Sequence, residues 1–186
     1  LANAVYNRIP LLLLVLDNMT TAMTGHQPHP GVGLRADGSR GMRLAPENVA
    51  KALGVGSVEV VDAFNVAEVE GAVERAVEYL KSGEGPAVLV ARGSCILVAL
   101  REARLEGLKP PVYEVLEDRC RACGVCYNAF NCPAIQRVEG GKAWVDPLLC
   151  VGCSECEQIC PFDAFKPAED VDERWAKLMR TAVPRP

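Results

Sequence analysis

Eight of the nine cysteines of this chain fall within the 41 residues from Cys120 to Cys160. They form an internal repeat. Cys120-x2-Cys123-x2-Cys126-x5-Cys132-Pro133 is answered by Cys150-x2-Cys153-x2-Cys156-x3-Cys160-Pro161. Three thiolates at two-residue spacing can meet three corners of an iron-sulfur cube, and the remote fourth cysteine, followed by proline, ligates the other cluster. One [4Fe-4S] cluster then takes Cys120, Cys123, Cys126 and Cys160, and the second takes Cys150, Cys153, Cys156 and Cys132. Two zinc sites would need only paired cysteines and would leave the third of each triplet and both Cys-Pro units unexplained. A disulfide scaffold would call for an oxidising compartment, to which nothing in the sequence points. Between the two motifs, "RVEGGKAWV" predicts a hairpin turning at Gly140-Gly141.

Residues 118–166 resemble the bacterial-type ferredoxins that carry two [4Fe-4S] clusters. The first motif departs from that pattern by two extra residues in the segment "YNAFN" between Cys126 and Cys132, which keeps the ligands but is expected to widen the loop near the second cluster. Cys95 lies outside the repeat and reads as a small buried apolar residue.

A second group of chemically able residues follows the apolar run "IPLLLLVL": the stretch "LDNMTTAMTGHQPHPG", residues 16–31. An apolar strand that ends in Asp-Asn and runs into threonines and glycines brings amide, hydroxyl and carbonyl oxygens to the carboxyl edge of a sheet. Open α/β sheets bind ligands at that edge. Oxygen ligands suit a hard cation such as Mg2+, which often holds phosphates as well. Asp17 is expected to orient the loop by capping nearby amides and not to touch a metal. His29 and His26 are, by type and place, ordinary hydrogen-bonded or solvent-facing loop histidines first.

This stretch resembles the thiamine diphosphate site of the 2-oxoacid:ferredoxin oxidoreductases. Joined to a two-cluster domain, it resembles the alpha subunits of the indolepyruvate ferredoxin oxidoreductases in particular. The resemblance implies that the Asn18 side chain and the Thr20 carbonyl ligate Mg2+, and that Thr24, Gly25 and Gln27 belong to the loop around the diphosphate, with His26 beside them. It also implies oxidative decarboxylation of an arylpyruvate such as indolepyruvate to an acyl-coenzyme A, with electrons leaving through both clusters to ferredoxin. A smaller beta subunit is the implied partner. The family's Gly-Asp metal turn would lie upstream of Leu1, and so would the domain that supplies a glutamate to the thiamine ring. The expectation is therefore the C-terminal quarter of such a subunit, inactive alone. Two alternatives remain at this stage: a non-catalytic electron-transfer module, and an oxidoreductase for another 2-oxoacid such as pyruvate.

The elements that must position these residues are legible in the hydrophobic pattern. The run ending at Asp17 suits a strand of a parallel sheet covered on both faces. "PENVAKALGV" reads as a helix with Pro46 in its first turn and Gly54 at its end, and "SVEVVD" as a strand. Val66, Val69, Val73, Val77 and Leu80 recur at helical spacing, and "PAVLVA" supplies another buried strand. The fold class is α/β, a partial parallel-sheet domain followed by a small α+β ferredoxin-like domain. The boundaries expected are 1–104 for the first domain, 105–117 for a linker containing Pro110-Pro111, 118–166 for the cluster domain and 167–186 for a charged tail in which "DERWAKLM" reads as a helix. "LANAVYNR" reads as a helix already in progress.

Composition agrees with a globular chain, with 49% hydrophobic and 24% charged residues. A formal net charge of -4 without a Lys/Arg run gives no footprint for nucleic acid. The longest apolar run falls far short of the roughly 20 residues of a spanning helix. No membrane partner is expected. The chain shows no signal-peptide pattern, and a cytoplasmic location is the expectation.

Overall fold

In a computed structural model residues 1–184 are described, and the chain divides into two units. The first comprises Leu1–Ala99 and the segment from Leu178 on; the second is Leu100–Lys177.

The first unit is built on a three-stranded parallel sheet of order β1-β3-β2, with β1 at Leu12–Asp17, β2 at Ser57–Asp62 and β3 at Ala87–Arg92. Helix α1 spans Ala2–Tyr6, α2 Pro46–Ala52 and α3 Val66–Lys81. The sequence explains the starts of the helices. Pro46 needs no amide partner at the first position of α2. Asn65 caps α3 by accepting a hydrogen bond from the Glu68 amide at 3.2 Å.

Strand β3 lies in the middle, and Ala87 to Ala91 are all buried. Its side chains alternate between two cores, as the period of a strand requires. Val88 and Val90 pack with Ala50, Val55, Val15 and Val58. Leu89 and Ala91 pack with Val61, Ala72, Val69, Val73 and Leu12. The three strands end in register, Asp17 and Asp62 both aligned with Arg92.

Coverage of β1 differs from the expectation. Leu13, Leu14 and Leu16 are 37%, 46% and 76% exposed. β1 is an edge strand paired only with β3, and of its side chains Leu12 and Val15 reach the two cores.

In the second unit β4 (Tyr113–Val115) pairs antiparallel with a later strand, Phe165–Pro167, and β5 (Ile135–Arg137) pairs antiparallel with β6 (Ala143–Val145). That later strand is β7. The β5–β6 connection turns at Gly140-Gly141 with φ of 75° and 78°, the left-handed pair that suits a tight hairpin. Helix α4 (Ile96–Leu105) runs from the first unit into the second, α5 spans Glu155–Ile159, and α6 (Glu173–Thr181) ends in the first unit. The segment 105–117 thus contains a strand, and residues 173–181 are helical. The core of this unit is small: Tyr113, Ile135, Ala143, Val145 and Phe165 pack around Cys126 and Cys156. No helix among the described residues is long and apolar enough to cross a membrane.

Leu89 is 1% exposed at the centre of the first unit. Leu89→Ala is expected to cost about 2–5 kcal/mol in denaturant unfolding. A loss below about 1 kcal/mol would show that the sheet faces are not the core of this unit.

Candidate functional site

The two cysteine motifs adopt the same backbone course. Cys120 and Cys150 each donate their amide at 3.0 Å to a carbonyl four residues earlier, of Leu116 and Asp146. The residue before the second cysteine is left-handed in both halves, Ala122 with φ 54° and Gly152 with φ 69°. So is the residue after it, Gly124 with φ 82° and Ser154 with φ 67°. These reversals bend the chain around a centre. For Ala122 and Ser154 they carry a strain of about 1–2 kcal/mol that an L-residue holds only when its surroundings demand it.

Cys120, Cys123, Cys126 and Cys160 line one small cavity together with Tyr127, Phe162 and Phe165. The electrostatics of the buried thiols follows the same grouping. Burial pushes Cys126 up to about 11, and the neighbouring charges that add to it are Cys123, Cys120 and Cys160. Burial pushes Cys153 up to about 11 as well, with Glu155, Cys132 and Cys150 adding to it. Cys156 is raised by burial first and then by Cys153, Cys150 and Cys132. Cys126 and Cys156 thus each feel three other thiols and Cys153 two, all from within the candidate quartet to which each belongs. A cluster's iron ions would reverse this penalty by binding the thiolate form and releasing the protons.

The long segment after Cys126 is taken up in a π-type turn, Val125–Ala129, closed by the Phe130 amide donating to the Val125 carbonyl at 2.9 Å. A wider turn is the usual way for a helix to absorb inserted residues. Tyr127 pins it by donating its hydroxyl to the Gly141 carbonyl at 2.7 Å. The Cys160 sulfur accepts the Ala164 amide at 3.4 Å. Among the described residues no three His, Cys, Asp or Glu side chains are close enough to hold a single metal ion. Cys95 belongs to neither quartet and is half-buried at the start of α4.

The polar loop leaves the carboxyl end of β1. Asp17 caps the Met19 amide through Oδ1 at 3.1 Å and holds Arg92 Nε through Oδ2 at 2.7 Å. Both its oxygens are thus committed to protein groups. Asn18 is exposed, and its Oδ1 accepts the Thr20 amide at 3.2 Å, which leaves the second lone pair of that oxygen for a cation. Thr20 is buried and its hydroxyl donates to the Gln27 carbonyl. The Thr21 amide donates to the same carbonyl at 3.0 Å, closing residues 21–27 into a compact loop.

Within this loop Thr24 donates its hydroxyl to Gln27 Oε1 at 2.7 Å, and Gln27 Nε2 donates back to the Thr24 carbonyl. Gly25 has φ 116°, a conformation that only glycine adopts without strain. His26, at φ 62°, has a buried Nε2 with no hydrogen-bond partner. A buried polar atom without a partner is costly, and a phosphate or heteroaromatic ligand at this loop would satisfy it. His29 has a structural role, its Nδ1 accepting the Gly31 amide at 3.1 Å. The loop therefore brings Asn18, Thr20, Thr24, Gly25, His26 and Gln27 into one fold-back at the sheet edge.

Sequence reasoning missed Arg92 and Glu47, which meet behind this loop: Glu47 accepts Arg92 Nη1 at 3.1 Å and Nη2 at 2.6 Å. The signal was present, since an arginine closing an otherwise apolar buried strand needs a partner.

Gly152 also sets the cluster motif by close approach, since a Cβ there would lie 2.5 Å from the Pro111 carbonyl oxygen. Gly152→Ala is expected to destabilise the second unit by about 1–3 kcal/mol and to lower iron incorporation. An unchanged melting temperature and iron content would contradict the packing described for this turn.

Comparison with known proteins bears on both sites. Residues 1–91 match the family described as thiamine pyrophosphate enzyme, C-terminal TPP binding domain, and residues 143–166 match the 4Fe-4S binding domain. The chain is 46% identical over 171 residues to the indolepyruvate oxidoreductase subunit IorA of Thermococcus kodakarensis, covering 91% of this chain and 26% of that protein. It is 48% identical over 167 residues to the IorA subunit of Pyrococcus abyssi, with 89% and 25% covered. With the IorA subunit of Archaeoglobus fulgidus the identity is 44% over 169 residues, with 91% and 26% covered. The chain thus spans about a quarter of the length of these curated relatives. No solved structure matches it.

Proposed function

We propose that the chain belongs with the indolepyruvate oxidoreductase IorA subunits to which it is similar, and that it forms part of a subunit that oxidatively decarboxylates arylpyruvates such as indolepyruvate. The acyl group goes to coenzyme A and the electrons to ferredoxin, in a complex completed by a smaller beta subunit. By itself the chain is inactive in this reading. The observation that carries it is the union, in one chain, of a thiamine-family sheet edge with a folded-back polar loop and two quartets of thiols.

When bound, thiamine diphosphate supplies the electron sink for loss of carbon dioxide, and the clusters supply one-electron carriers for the two electrons released. The protein's own residues bind and orient. Asn18 Oδ1 and the Thr20 carbonyl hold Mg2+. Thr24, Gly25 and Gln27 hold the diphosphate end, where the fold-back leaves Thr24, Gly25 and Gln27 exposed. His26 Nε2 gains there the hydrogen bond that it lacks in the protein alone. Cys120, Cys123, Cys126 and Cys160 hold one [4Fe-4S] cluster, and Cys150, Cys153, Cys156 and Cys132 the other. Burial of Cys126 and Cys156 keeps water from the inner side of each.

Two measurements test this reading. Protein purified without oxygen is expected to carry about eight iron and eight sulfide per chain, as two cubes require; two zinc ions in their place would overturn the cluster assignment. Asn18→Ala, in the assembled complex that carries this segment, is expected to weaken Mg2+-dependent thiamine diphosphate binding by about tenfold or more, read by calorimetry. Unchanged affinity would remove Asn18 from the ligand set.

A further inference from the structure

The loop that carries Asn18 and Thr20 is closed on itself by its own hydrogen bonds, but its departure from the strand is held from outside the loop. What fixes it lies behind. Arg92, the last residue of the central strand, uses three nitrogens at once. Nε donates to Asp17 Oδ2 at 2.7 Å, while Nη1 and Nη2 donate to the two oxygens of Glu47 at 3.1 and 2.6 Å. The arrangement is largely withdrawn from water, the Arg92, Asp17 and Glu47 side chains being 16%, 6% and 15% exposed. Planar, fork-shaped donation to two carboxylates is specific to arginine; a lysine at this place could offer only a point charge.

The consequence runs through Asp17. With Oδ2 fixed by Arg92, Oδ1 is aimed at the Met19 amide. The backbone at this point is further tied to the end of β3, where the Gly93 amide donates to the Asp17 carbonyl at 3.1 Å and the Cys95 amide to the Asn18 carbonyl at 3.0 Å. Met19 then takes a left-handed φ of 56°, and this turn leaves the Asn18 side chain exposed while Thr20 is buried. Three elements, β1, β3 and α2, thus converge through one guanidinium on the residue that precedes Asn18.

We propose that Arg92, clamped by Glu47 of α2, is a positioning residue that sets Asn18 and Thr20 for the cation and diphosphate. In this proposal Arg92 and Glu47 act through Asp17 and not by direct contact with the cofactor. The proposal rests on the cofactor reading of the preceding subsection, and its test separates the two.

The variants are Glu47→Gln, which keeps size but removes charge, and Arg92→Lys, which keeps charge but cannot bridge both carboxylates. In the 186-residue chain, hydrogen exchange of the Met19 and Thr20 amides is expected to quicken about tenfold or more, with Leu89 and Val90 in the strand core unchanged. In the assembled complex, both variants are expected to weaken Mg2+-dependent thiamine diphosphate affinity by about 10–100-fold, the usual effect of losing an outer-shell partner, while turnover at saturating cofactor is retained. If Arg92→Lys fails to fold, Glu47→Gln carries the test. Unchanged loop exchange would overturn the clamp. Loosened exchange with unchanged affinity would overturn its bearing on the cofactor. Absence of cofactor binding by the unaltered complex would instead sink the cofactor reading, and the exchange data would still decide whether the clamp exists.

Discussion

Parallel pairing of β1 and β2 on either side of β3 is the constraint from which the first unit follows. Parallel strands need crossover connections, so helices α2 and α3 must lie between them in sequence and close over the faces of the sheet. Because Ala87 to Ala91 are buried on both sides, β3 tolerates no polar residue until its last position. That position is Arg92, aligned with Asp17 and Asp62 at the ends of its neighbours. An alternating row of charges at the carboxyl edge lets an apolar sheet end without leaving a buried charge unpaired. Asp17 and Asp62 serve in the same way, each capping the amide two residues on, of Met19 and Phe64. The loops at the edge therefore leave in directions set by the strand ends, and the polar loop inherits its place from them.

The second unit obeys a different constraint. Its strands are three residues long and its buried apolar set is small, so little apolar surface is available to hold it together. Small domains of this kind depend on cross-links or metals for stability. Cys126 and Cys156 sit in the core, where burial disfavours their ionised form. Binding iron would remove that penalty and so favour the folded form of this unit. The left-handed residues repeated in both halves point the same way, since their strain is sustained only by what they surround.

The first unit carries a sheet edge whose loop presents oxygen-rich groups, and the second gathers the thiols of the two cysteine motifs. The two family matches fall on these two parts of the chain, residues 1–91 and 143–166. In the proposed reaction the clusters would carry singly the two electrons that thiamine chemistry releases.

Much of this was written in the sequence. The cysteine spacing determined both quartets as candidates, because ligand convergence at short range depends on local chain geometry. Helix and strand order followed from periodicity: β2, α3, β3 and the Gly140-Gly141 hairpin lie where the pattern puts them. Left-handed glycines and apolar alternation are properties of a few neighbouring residues and so are legible in one dimension. Strand order, the exposed edge leucines of β1 and the meeting of Asp17, Glu47 and Arg92 were decided only by the tertiary structure. Those three charges are separated by up to 75 residues along the chain. No local pattern can pair them, because what brings them together is the register of parallel strands and the helix that crosses between them.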